Sequence, residues 1–191
     1  MKKDNVLFLL ADGFEEIEAL ATLDACRRAG LNCVTASIMP TNIVRGAHDI
    51  RVTSDANLAD EQVAATDWAL IVLPGGMPGS TNLRNDERVI KLLQKTAAAG
   101  KYIAAICAAP IVLARAGLIE GKRLTSYPGF AEQLPGAIYV EDAVCQDDRL
   151  ITARGPALAL PFAFKIIEVL CGKNVADEVA AGMLWPMLGK A

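Results

Sequence analysis

The sequence predicts an α/β fold in which a mostly parallel sheet is covered on both faces by helices, with an added β-hairpin. Three observations predict it. Short apolar runs alternate with longer amphipathic ones. The short runs are nearly continuous in apolar residues, as strands buried on both faces require. Glycine also follows the amphipathic segments just before the next strand, where a helix ends in the left-handed region. At 191 residues and 53% hydrophobic, the chain can bury one substantial core but not two, so a single domain over residues 1–191 is expected.

Taken in order, Val6–Ala11 reads as the first strand. It is too short to span a bilayer and lacks a small-residue cleavage site, which argues against a signal peptide and against membrane attachment. Glu15–Ala29 has helical spacing and is closed by Gly30, and Cys33–Ser37 is the second strand. Ile43–Thr53 breaks the rhythm and reads as a hairpin turning near Gly46 and Ala47. Trp68–Leu73 and Tyr102–Ile106 are further strands, with a helix over Asp86–Ala99 between them and Pro110–Ala116 after them. A second hairpin joins Ala143–Cys145 to Leu150–Thr152 through Gln146–Asp148. The last helix is expected from Ala157 to Leu170, ending before Gly172.

The charge pattern excludes one class of partner. With 19 basic and 22 acidic residues, a net charge of -3 and no basic stripe, nucleic acid is not expected. Five cysteines, at 26, 33, 107, 145 and 171, form no C-x-x-C pair and suit reduced thiols in the cytoplasm. A single histidine, His48, rules out a multi-histidine metal site. No metal or cofactor is expected.

In open parallel sheets reactive groups gather beyond the carboxyl ends of the strands, and three such ends carry unusual residues. After the first strand comes Asp12-Gly13-Phe14-Glu15-Glu16-Ile17-Glu18. Glu15 and Glu16 are the acidic residues a helix N-terminus favours. Glu18 precedes the apolar run Ala19-Leu20-Ala21. Facing inward it would be desolvated, with a raised pKa; the helix phase is not set by the sequence, so a solvent-facing Glu18 is equally open.

After the third strand, Leu73-Pro74-Gly75-Gly76-Met77-Pro78-Gly79 lacks both G-x-G-x-x-G spacing and a P-loop ending. It either presents backbone N–H groups to a developing negative charge or is simply a tight turn. After the fourth strand, Ile106-Cys107-Ala108-Ala109-Pro110 has the strand–turn–helix pattern of a nucleophile elbow, with cysteine in place of serine. A thiol there should feel the positive end of the helix dipole, which predicts a lowered pKa. The other four cysteines read as small buried hydrophobes. His48, in the first hairpin, reads either as a surface residue or as part of a pocket.

The segments A-D-G-F-E-E-I-E, L-P-G-G, A-A-I-C-A-A-P and T-A-R-G-P together resemble the ThiJ/PfpI family. The similarity covers nearly the whole chain and is greatest to the branch holding the Parkinson-disease protein deglycase and the bacterial chaperone-like protein YajL. The resemblance implies a flavodoxin-like three-layer sandwich, a homodimer and a cysteine easily oxidised to sulfinic acid. By motif position that cysteine is Cys107, its carboxylate partner is Glu18, and Gly75, Gly76 and Ala108 supply the oxyanion backbone. Glu16, Arg28 (reaching across the dimer), His48, Tyr127, Gly155 and Pro156 would line the pocket. Two departures stand out. Tyr127 occupies the place of a histidine found in human-type members, a histidine that YajL-like proteins also lack, and His48 stands where relatives tend to carry arginine.

The activity implied is cofactor-free conversion of a small aldehyde such as methylglyoxal, or repair of glycated substrates. The alternatives are a redox sensor or redox-regulated chaperone with unfolded-protein clients, and the older thiazole monophosphate (thiamine) synthesis label. A Cys-His hydrolase or peptidase is disfavoured, because no histidine follows the elbow.

Overall fold

The computed structural model describes residues 4–190. In chain order the elements are β1 (Asn5–Leu10), α1 (Glu16–Arg28), β2 (Asn32–Ser37), β3 (Ile43–Arg45), β4 (Arg51–Thr53), β5 (Ala56–Asn57), α2 (Glu61–Ala65) and β6 (Leu70–Leu73). They continue with α3 (Gly79–Asn85), α4 (Glu87–Ala98), β7 (Tyr102–Ile106), α5 (Pro110–Arg115), β8 (Arg123–Leu124) and β9 (Ile138–Tyr139). The series closes with β10 (Val144–Asp147), β11 (Leu150–Ala153), α6 (Ala159–Cys171) and α7 (Lys173–Gly182).

A seven-stranded sheet runs β10-β11-β7-β6-β1-β2-β5. Every neighbouring pair is parallel except β10 with β11, the second predicted hairpin, which forms the edge. Strand alternation divides the core in two. Leu7, Leu9, Ile71, Leu73 and Ile103 face one layer, packing with Val89, Ile90 and Leu93 of α4 and Ile111 to Leu113 of α5. Val6, Phe8, Leu70, Val72 and Ala104 face the other, against Leu23 and Cys26 of α1 and Phe162, Ile166 and Ile167 of α6. The result is the flavodoxin-like arrangement of helices on both faces of a mostly parallel sheet. Among the described residues no helix is long and apolar enough to cross a membrane.

The chain leaves β1 toward β2 on one side and later fills β6, β7 and β11 on the other, so its direction reverses between β1 and β6. That reversal opens a crevice at the carboxyl ends of β1, β6 and β7.

Several elements differ from the sequence expectation. The last helix begins at Ala159 after a 3-10 turn over Pro156–Leu158, because Pro156 initiates a tighter turn before the α-helical bonds start. Helix α3, directly after the glycine-rich turn, was not expected. Its sequence Gly-Ser-Thr-Asn-Leu-Arg-Asn is poor in helix formers, and it is held by tertiary packing of the fully buried Leu83. Helix α7 follows Gly172 with only Ala176 and Val179 buried, too sparse a pattern to read as a core face. Strands β5, β8 and β9 are two residues each, below the length at which periodicity is visible.

Phe8 is fully buried at the centre of the α1/α6 layer. Phe8→Ala is expected to destabilise the chain by about 4 kcal/mol, the usual cost of deleting a core aromatic ring, measured as a lowered urea midpoint with an unchanged slope.

Candidate active site

Cys107 is the first residue after β7 and has φ 64°, a conformation uncommon for a non-glycine residue and costing roughly 1–3 kcal/mol. Neighbouring chain holds it there. Its N–H donates to the Ala153 carbonyl at 2.9 Å, and its own carbonyl accepts from Tyr127 N–H at 2.9 Å. The elbow turns the thiol back into the crevice between β7 and β6, where the residue is 9% exposed. The N–H groups of Gly76 and Ala108 lie near enough to the sulfur to lower its proton affinity.

Glu18 completes the cluster from the first turn of α1. It faces inward and is fully buried, so the helix phase left open by the sequence is the desolvated one. Its Oε2 accepts from Gly75 N–H at 2.7 Å, and its carboxyl group stands beside the Cys107 thiol. Oε1 is buried without a partner among the described residues. A Cβ on Gly75 would lie 2.6 Å from both Cys107 Cβ and Glu18 Oε2, so only glycine lets the three groups converge. Gly76 adopts φ +86°, and a side chain there would strike Glu15 N.

The other predicted residues divide into three groups. Tyr127 joins the Cys107 rim through its backbone bond, and its ring lies against Gly155, beside Pro156; a Cβ on Gly155 would be 3.2 Å from Tyr127 Cδ2. Glu16 turns toward the first hairpin. Its Oε1 accepts from His48 N–H at 2.8 Å, and Oε2 lies 3.0 Å from His48 Nδ1. Arg28 is at the far end of α1, about 15 Å along the helix from Glu18, and within the chain its guanidinium binds Asp24 at 2.6 Å.

Glu15 corrects the expectation for the acidic pair: Glu15 and Glu16 are 8% and 4% exposed, whereas helix-terminal carboxylates are normally solvated. They are covered because the β3–β4 hairpin folds over the start of α1, with Ala47 N–H donating to Phe14 O. Only the unusual density of glutamates at that position hinted at this.

Residues 4–169 match the DJ-1/PfpI family. The chain belongs to the DJ-1/PfpI family. The Drosophila melanogaster protein dj-1beta is 43% identical over 182 residues, covering 94% of this chain and 96% of its own. The crystal structure of Drosophila melanogaster DJ-1beta superposes with TM-score 0.92 at 42% identity, over 96% of this chain and 98% of that one. A structure of oxidized Toxoplasma gondii DJ-1 superposes with TM-score 0.90 at 39% identity, over 95% and 98% of the two chains. The Caenorhabditis elegans protein named glutathione-independent glyoxalase DJR-1.2 is 34% identical over 182 residues, 93% of this chain and 94% of its own.

Electrostatics at this DJ-1/PfpI crevice differ from the expectation of a lowered cysteine pKa. Burial, followed by the charge and hydrogen bond of Glu18, pushes the Cys107 thiol up to about 12; the Gly76 and Ala108 N–H groups pull the other way and lose. The helix that should have lowered it, α5, has only six residues. Glu18 is itself pushed up to about 7, mainly by burial and further by the charge of Glu15, against the Gly75 N–H and Cys107 bonds. Near neutrality it is therefore Glu18 that gains or loses a proton, while Cys107 stays a thiol. At neutral pH an ionised Glu18 keeps Cys107 as a thiol, and a protonated Glu18 removes the charge that opposes the thiolate.

Because the folded pKa of Glu18 lies above its ordinary value of 4.5, the folded state binds the proton more tightly than the unfolded chain does. Its contribution is therefore fully present below about pH 4.5 and is lost as the pH rises through about 7. The loss is on the order of 3 kcal/mol. Glu18→Gln is expected to gain stability over the native chain by that order between pH 4.5 and pH 8, read from denaturant midpoints at the two pH values.

Proposed function

We propose that the chain is a cofactor-free, cysteine-dependent enzyme acting on small reactive carbonyls, with methylglyoxal or early glycation adducts as substrates. One observation carries this: a cysteine in the left-handed backbone region set beside a buried carboxylate whose proton affinity lies near neutrality. The DJ-1/PfpI relative named as a glutathione-independent glyoxalase supports the same reaction class.

In this reaction Cys107 sulfur bonds to the aldehyde carbon of methylglyoxal while the thiol proton passes through Glu18 to the carbonyl oxygen, forming a hemithioacetal. The N–H groups of Gly76 and Ala108 stabilise the negative charge developing on that oxygen. Glu18 then takes the hydrogen on the former aldehyde carbon as a proton and returns it to the adjacent ketone carbon, while the hydroxyl proton of the hemithioacetal moves to the former ketone oxygen. This isomerises the adduct to a lactyl thioester without net oxidation. Water cleaves the S–C bond, releasing lactate and restoring the thiol. Overall, one methylglyoxal and one water give one lactate.

The unpartnered Glu18 Oε1 supports a second reading, a redox sensor or redox-regulated chaperone. An oxygen added to the Cys107 sulfur would place an acceptor beside a protonated Glu18 and fill the missing hydrogen bond. The reading extends to a homodimer, supported by Ile17, Ile43 and Ile50, each more than half exposed around α1 and the β3–β4 hairpin, and to the cytoplasm, which the five free cysteines suit.

With methylglyoxal, Cys107→Ser and Glu18→Gln are each expected to lose at least about 100-fold in kcat/KM; equal rates in all three proteins would remove Cys107 from the mechanism. After mild peroxide, peptide mass analysis is expected to show oxidation concentrated on Cys107, and uniform oxidation of the five cysteines would sink the sensor reading.

A further inference from the structure

Among the two tryptophans, three tyrosines and five phenylalanines of the chain, Tyr127 alone is exposed, at 47%. It stands at the reactive cysteine, because its N–H donates to the Cys107 carbonyl at 2.9 Å. A large aromatic left in solvent is the informative departure from ordinary burial, since such side chains bind through their faces and edges.

The surrounding chain fixes where the ring sits. Pro128 follows Tyr127 and steers its backbone to the extended region. The Tyr127 carbonyl accepts from Phe130 N–H and from the Ser126 hydroxyl, each at 3.2 Å, and Thr125 and Ser126 are fully buried. The ring is backed by main chain at Gly155, where a Cβ would stand 3.2 Å from Tyr127 Cδ2 and 3.5 Å from Cε2. One side of the ring is covered in this way, and the rest supplies its exposed area. Tyr139 differs: its hydroxyl donates to the Ser126 carbonyl at 3.3 Å, so it belongs to the scaffold. The Tyr127 hydroxyl bonds none of the described residues.

We propose that Tyr127 is a specificity-determining residue that selects oxoaldehydes carrying an aromatic substituent, by stacking on that substituent while the carbonyl is held at Cys107. The proposal rests on the carbonyl reading above and names the substrate class within it. Gly155 lies two residues past Ala153, whose carbonyl holds the Cys107 N–H, so the ring is on the β11 side of the elbow, whereas the sulfur is turned toward β6. Adjacent strands run about 4.8 Å apart; a methyl group on the bound carbonyl falls short of that span, and a phenyl ring covers it. Glu18, the carboxylate beside the sulfur, is fully buried, so a substituent extending outward meets the ring and not that charge. Contact between two rings in offset or edge-to-face geometry contributes about two- to tenfold in binding. With phenylglyoxal the proton movements are those already described for methylglyoxal: one phenylglyoxal and one water give one mandelate, and the thiol is restored.

The test compares kcat/KM for phenylglyoxal and methylglyoxal in the native chain, Tyr127→Phe and Tyr127→Leu. The ratio of the two is the readout, because a purely structural defect lowers both alike. It is expected to favour phenylglyoxal, to persist in Tyr127→Phe, and to fall at least about threefold in Tyr127→Leu. A second readout needs no turnover: the rate at which Cys107 is alkylated by iodoacetanilide relative to iodoacetamide, followed by peptide mass. In both reactions the sulfur displaces iodide and the thiol proton passes to buffer, and the anilide-to-amide ratio is expected to fall by a similar factor in Tyr127→Leu. Failure of every protein to convert either aldehyde removes the carbonyl reading, and the alkylation ratio then upholds or overturns the aromatic subsite by itself. An aldehyde ratio that is the same in Tyr127→Leu as in the native chain overturns the proposal.

Discussion

The crevice depends on the close approach at Gly75, where the chain leaving β6 passes between Glu18 of α1 and Cys107 of the elbow. With 2.6 Å from a would-be Cβ to each neighbour, no larger residue fits, and the Gly75 N–H is aimed at the Glu18 carboxylate. Three segments distant in sequence meet there: residue 18, residue 75 and residue 107. The parallel sheet brings them together, because β1, β6 and β7 are neighbours whose carboxyl ends share one edge. The elbow is in turn locked from both sides by the Ala153 carbonyl and the Tyr127 N–H, so the strained backbone of Cys107 is held by contacts from β11 and the loop after β8.

Inside that crevice burial wins over the dipole. A thiol near a helix N-terminus would be expected to ionise readily, yet here desolvation and a neighbouring carboxylate together outweigh two backbone N–H groups. Reactivity is thereby conditional, because the thiolate is opposed whenever Glu18 is ionised and relieved when Glu18 takes the proton. A substrate carbonyl that accepts this proton, or an oxygen added to sulfur that accepts its hydrogen bond, would use the same coupling. Catalysis and sensing thus draw on one physical arrangement, and they differ in whether the bond made to sulfur is broken again.

The β3–β4 hairpin gives the first loop a second role. By folding over the start of α1 it turns two helix-terminal glutamates, ordinarily solvated, into a buried pair capped by His48. Glu15 lies where the two regions meet. Its backbone holds the Gly75 loop, and its carboxylate charge raises the proton affinity of Glu18. The Glu-Glu-x-Glu sequence therefore places three carboxylates in three environments within one turn of helix, one against the thiol, one against the hairpin and one between them.

Much of this was legible in the sequence. Continuous apolar runs identified β1, β2, β6 and β7, helical spacing identified α1 and α4, and small residues followed by Pro110 identified the elbow, because each signal arises from local steric preference or from the period of burial. The short helix α3 and the two-residue strands were not legible, since packing and not propensity holds them. The site divides along the same line. Residue types and turn chemistry were enough to single out Cys107 and the glycine-rich turn. Whether Glu18 faced the crevice, whether Glu15 and Glu16 were buried, and whether the thiol pKa fell or rose depended on helix phase and on chain segments up to a hundred residues away. Desolvation and close contact are properties of the assembled surfaces, and only the tertiary structure decided them.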